Sequence, residues 1–90
     1  MKKYLIERHI PGVHLLSDAQ RVEAATVSNN ALAKLAPRVE WIESFLVPDK
    51  TFCVYLAEDE AVIHEHAALS GFPANHVSEI FGGLSPATGA

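Results

Sequence analysis

Five histidines (His9, His14, His64, His66 and His76) and one cysteine, Cys53, are the side chains best suited to bind a transition metal or move a proton near neutral pH. His9 follows Glu7 by two places, so an extended strand would turn both to the same side. If Cys53 lies on a neighbouring strand and also faces that side, the three supply nitrogen, oxygen and sulfur. Such a borderline-soft set suits nickel, zinc, cobalt or copper. Glu43, between Trp41 and Phe45 in its own alternation, would add a second carboxylate from another strand. Two nearby carboxylates make Cys53 a poor nucleophile, which leaves a buried small hydrophobe or a metal-bound thiolate as its readings.

The HEH triplet at 64–66 does not form a paired site. Two residues apart on a helix stand about 200° apart around its axis, so His64 and His66 cannot share one ion from one face. His66 falls at the centre of an inward stripe with Val62, Ile63, Leu69 and Ser70, while His64 points to solvent. An inward histidine is either tied to a nearby backbone or loop group, or is a ligand. His14, just past the Pro11-Gly12 turn, lies close enough in sequence to join His9, and His76 beside FPAN reads as a surface loop residue or as a ligand or general base. There is no close-spaced zinc motif, serine elbow, phosphate loop or dinucleotide fingerprint, so no organic cofactor is indicated.

These side chains need elements to position them. Residues 3–10 alternate as a strand that ends at Pro11-Gly12. Ser17 followed by Gln20 is a capping box opening a helix that Pro37 stops near Ala36. Residues 39–47 and 51–57 are rich in β-branched and aromatic residues and are joined through Pro48-Asp49-Lys50. A second helix runs from about Asp59 to Ser70, with Gly71 as its stop, and a last strand covers about 75–81. Strand, helix, strand, strand, helix, strand predicts an α+β, ferredoxin-like βαββαβ fold, with two helices on one face of a four-stranded antiparallel sheet.

One face then stays open. In 51–57 the set Phe52, Val54 and Leu56 is uniformly apolar and is expected under the helices, which assigns Cys53 and Tyr55 to the open face with Glu7 and His9. Covering that mixed surface by a second copy predicts a homodimer through the open face. Ninety residues fit one domain, expected over 1–86 with a flexible tail at 87–90. A net charge of −4 and seven scattered basic residues exclude a nucleic-acid footprint. The first residues, MKKYLIERHIPG, break their apolar run too early for a signal peptide or membrane span, so a cytoplasmic setting is expected.

The segments ERHIPG (7–12), FCVYLAEDEAVIHEHA (52–67) and GFPANHVSEI (71–80), in this order, resemble a family of small bacterial proteins known mainly as a domain of unknown function. Its best-described member is a nickel-binding, nickel-responsive protein with a dimeric ferredoxin-like fold, and the likeness runs from Tyr4 to Pro86. The resemblance implies nickel or another divalent transition metal, with Glu7, Cys53 and His66, then Asn75 and Glu79, at positions matching the family pattern. Where that pattern often has a histidine two places after the tryptophan, this chain has Glu43, a harder donor less suited to nickel.

The first function expected is therefore a small metal-binding protein, a nickel buffer or sensor, with Glu7, His9, Cys53, Glu43 and His66 as candidate ligands. The alternative is a cofactor-independent enzyme or small-ligand binder with a pocket at the sheet, lined by Trp41, Phe45 and Tyr55, with His9 or His66 as base. A third reading is a module whose sheet only mediates self-association.

Overall fold

The computed structural model describes residues 1–89. Strand β1 (Lys2–His9) leads through a short 3-10 turn (Val13–Leu15) to helix α1 (Asp18–Leu35). Strands β2 (Val39–Val47) and β3 (Lys50–Ala57) follow as a hairpin, then helix α2 (Glu60–Ser70) and strand β4 (His76–Glu79). The sheet order is β2-β3-β1-β4, every neighbour antiparallel, with both helices on one face, which is the ferredoxin-like arrangement. A last 3-10 turn, Pro86–Gly89, is fully exposed. The tail expected at 87–90 ends in Ala90, which lies outside the described residues. No described helix is long and apolar enough to cross a membrane.

Local chemistry sets the ends of these elements. The Gln20 amide donates to Ser17 Oγ (3.2 Å) and the Ser17 amide donates to Gln20 Oε1 (2.9 Å), which closes the capping box of α1. Asp59 caps α2 by accepting from the Val62 amide at 3.0 Å. Gly71 ends α2 at φ 81°, a left-handed conformation that glycine adopts without the steric cost of a Cβ.

Tyr4, Ile6, Cys53, Tyr55 and Ala57 of the sheet pack with Val62 and Ile63 of α2 and Leu35 of α1 to form the core. This reverses the expected facing of β3: Thr51, Cys53, Tyr55 and Ala57 lie buried under the helices, and Phe52, Val54 and Leu56 are half-buried on the open face. Register is the cause. Ile6 pairs with Cys53 and Tyr4 with Tyr55, and directly paired residues share a face, so the inward Ile6 and Tyr4 carry Cys53 and Tyr55 in with them. Both alternating sets of β3 are largely apolar, so the strand alone does not indicate which set is buried.

A bulge in β2 between Trp41 and Glu43 resets its alternation. Trp41, opposite Tyr55, goes under the helices, whereas Glu43, opposite Val54, and Phe45, opposite Phe52, face outward. Trp41 and Phe45 are therefore not on one face as their even spacing suggests. On α1 the residues turned to the sheet are small, with Ser28 and Ala31 buried beside Leu35, so the helix covers the sheet without filling all the space beneath it.

Candidate metal centre

At the open-face end of β1, three donors converge. Glu7 and His9 project from the same side of the strand, and His76 is the direct register partner of Glu7 on β4. His9 Nε2 lies 2.7 Å from Glu7 Oε2, and His76 Nε2 lies 3.6 Å from the same oxygen. One ligand atom from each of the three falls within 4.8 Å of the others. Three ligands about 2.1 Å from a common ion stand roughly 3–3.5 Å apart, so small side-chain adjustments would bring these atoms to a bonding arrangement. The imidazole rings of His9 and His76 meet edge to face at 5.6 Å.

The backbone fixes the third donor. Loop 72–75 leaves Gly71, and its last residue joins the sheet: the Asn75 amide donates to the Glu7 carbonyl at 3.0 Å. The Asn75 side-chain oxygen in turn accepts from the His9 amide at 2.7 Å. Asn75 thus connects the backbone at both β1 donors and sets His76 opposite Glu7.

Electrostatics favours a ready ligand at Glu7. The hydrogen bond from His9, with smaller help from Lys50 and His76, holds its carboxyl below the ordinary 4.5 against the opposing effect of desolvation. Lys50 Nζ stands 3.9 Å from Glu7 Oε1 as a resident counter-charge. Two borderline imidazoles with one harder carboxylate make a mixed set suited to nickel, cobalt, zinc, copper or ferrous iron.

The other sequence candidates lie elsewhere. Cys53 is buried on the opposite face of the sheet, its Sγ 3.5 Å from Thr51 Oγ1, and so does not join Glu7 and His9 as expected. Glu43 does face the open side, but it sits on β2, separated from β1 by β3. His66 is buried, as its inward stripe predicts, with Nε2 3.2 Å from Ser28 Oγ and 3.4 Å from the Ser28 carbonyl oxygen. His64 is exposed and pairs with Glu60 one turn earlier. His14 is occupied at the β2–β3 turn, its Nδ1 accepting from the Asp49 amide at 3.2 Å.

His76, which by sequence reads as a surface loop residue or as a ligand or general base, stands at the start of β4 among the donors. The signal was available: in this strand order the start of β4 runs antiparallel beside the end of β1, which brings a histidine at that position towards residues 7–9.

Comparison with known proteins agrees with this architecture. A family profile described as "Nickel responsive protein SCO4226-like" matches residues 4–80. Among solved structures the chain is similar to SCO4226 from Streptomyces coelicolor A3(2), with a TM-score of 0.69 and 16% identity. That likeness covers 91% of this chain and 99% of the other, and at such identity it bears on the fold alone. No curated relative matches the chain.

Proposed function

Because the chain belongs to the SCO4226-like family of nickel responsive proteins, we propose that it is a small cytoplasmic metal-binding protein. In this reading it acts as a homodimer and takes nickel, or a divalent ion of similar preference, at Glu7, His9 and His76. The observation that carries this reading is the convergence of two imidazoles and a carboxylate on one point of the sheet. Three protein donors leave further coordination positions to water or another ligand, which fits reversible loading by a buffer or sensor better than a closed structural site. A cation bound at His9 Nε2 would take the place of the contact with Glu7 Oε2, and because a metal takes imidazole and carboxylate only in their unprotonated forms, binding weakens on acidification.

The dimer reading rests on the open face. Phe52, Val54 and Leu56 lie there half-buried beside Phe45, which is 53% exposed. Phe81 and Leu84, beyond β4, are about nine-tenths exposed and add to the apolar surface that a second copy would cover.

The test is calorimetric titration of tag-free protein with Ni²⁺, Co²⁺, Zn²⁺, Cu²⁺ and Fe²⁺. Binding at micromolar affinity or tighter is expected, and Glu7→Gln, His9→Ala and His76→Ala should each weaken it by at least about tenfold. Cys53→Ser and His66→Gln, altered on the other face, should leave it within a few fold. Loss of binding in the latter pair with retention in the former three would refute the assignment.

A further inference from the structure

The helix-covered face holds a second constellation, one strand position away from the candidate metal centre. Arg8, between Glu7 and His9, points inward and is only 3% exposed. Its Nη1 donates to the carbonyls of Phe72 (3.2 Å) and Pro73 (3.0 Å), whereas Nη2 is buried and has no hydrogen-bond partner among the described residues. None of the ion pairs among the described residues involves Arg8. A guanidinium held away from water without a counter-charge is unfavourable and strongly disposed to accept an anion.

Arg8 lines a cavity of about 190 Å³ between the sheet and α1, which exists because α1 turns Ala24, Ala25 and Ser28 towards it. Trp41, Leu46 and Tyr55 are the large apolar side chains that line it from the sheet. The charged side chains on its lining are Arg8 and Arg21, with no carboxylate among them. Burial pushes the Tyr55 phenol up and the His66 imidazole down, so both stay neutral near pH 7 and Arg8 remains the inner charge. The Arg8 guanidinium carbon stands 5.8 Å from the Tyr55 ring centroid.

We propose that this cavity binds a small organic monocarboxylate, its carboxylate drawn to the Arg8 guanidinium and its apolar body between Trp41, Leu46 and Tyr55. The volume sets the size: an apolar cavity of about 150 Å³ accommodates benzene, so this one takes a molecule of about benzoate's dimensions. The chemistry sets the class. A single inner guanidinium in apolar walls matches the one charge of a carboxylate, whereas phosphate would leave several charged oxygens unpaired.

Sodium benzoate is the probe, followed by amide NMR shifts and by fluorescence of Trp41, the single tryptophan. Saturable shifts are expected at Arg8, Ser28, Cys53 and Tyr55. Benzyl alcohol, with the same ring and no charge, should bind at least about tenfold more weakly, and inorganic phosphate should produce no saturable shift at these amides. Arg8→Met should abolish the preference for benzoate over benzyl alcohol. Ala25→Leu, which fills the cavity from α1 and leaves Arg8 in place, should abolish benzoate binding, so the test does not depend on the folding of the arginine variant. Glu7→Gln should bind benzoate within about twofold of the parent, which separates this site from metal binding on the other face. Equal affinity for benzoate and benzyl alcohol, benzoate binding that survives Ala25→Leu, saturable phosphate shifts at the cavity amides, or no saturable shift up to about 10 mM would each overturn the proposal.

Discussion

His66 shows what burial does to one residue. It packs 5.5 Å from the Tyr55 ring, and its Nδ1 is buried with no partner among the described residues, so an added proton there would gain little stabilisation. Burial first, and the charge of Arg8 second, hold its pKa below the ordinary 6.5. Between the two values the unfolded chain carries the proton that the folded chain lacks, so acidification favours unfolding. The contribution of His66 is complete above 6.5 and is lost as pH falls towards the folded value. Urea titrations of metal-free protein should therefore show stability falling below 6.5 with a slope of up to about 1.4 kcal/mol per pH unit from this residue. His66→Gln, which can still reach Ser28, should be less stable at neutral pH and flatter below it. The inward position of His66 was legible in the sequence because the stripe of α2 defines a direction. The burial of Cys53 was not, because β3 presents apolar residues on both sides and only its pairing with β1 decides between them.

The elements themselves were legible because their ends carry strong local chemistry. The Ser17–Gln20 box, Pro37 after α1, the Pro48-Asp49 turn and Gly71 punctuate the chain at positions that match the observed boundaries to within a residue or two. The bulge in β2 was not legible, since an extra residue in a strand leaves no compositional mark. Gly71 allows a test at this scale. A Cβ there meets nothing within 4 Å, so the cost of Gly71→Ala is conformational rather than steric packing, about 1 kcal/mol by urea denaturation. Metal affinity should change little, because Asn75, downstream of that turn, is what fixes His76 against β1.

For the whole molecule, one sheet separates two kinds of surface: apolar residues with an edge of ligating groups outside, and a core with a buried cation inside. The proposed homodimer would cover the outer surface across its middle strand. Val54, opposite Leu5 on β1 and Glu43 on β2, lies near the centre of that area. Sedimentation velocity should find a dimer at micromolar concentration and a dissociation constant raised at least about tenfold by Val54→Lys, with far-UV circular dichroism unchanged. A parent chain that stays monomeric at about 100 μM would refute the dimer.

The alternation of β1 also governs how such a protein can change over generations. Glu7, Arg8 and His9 are consecutive, and parity alone sends the first and third to one side and the second to the other. Point substitutions can tune either chemistry separately. Insertion or deletion of a single residue before position 7 would exchange the two sides at once, sending the guanidinium out to the histidines' place and the carboxylate beneath the helices. The two faces are therefore inherited as one reading frame, and lineages that keep either should show β1 free of length changes while its side chains vary.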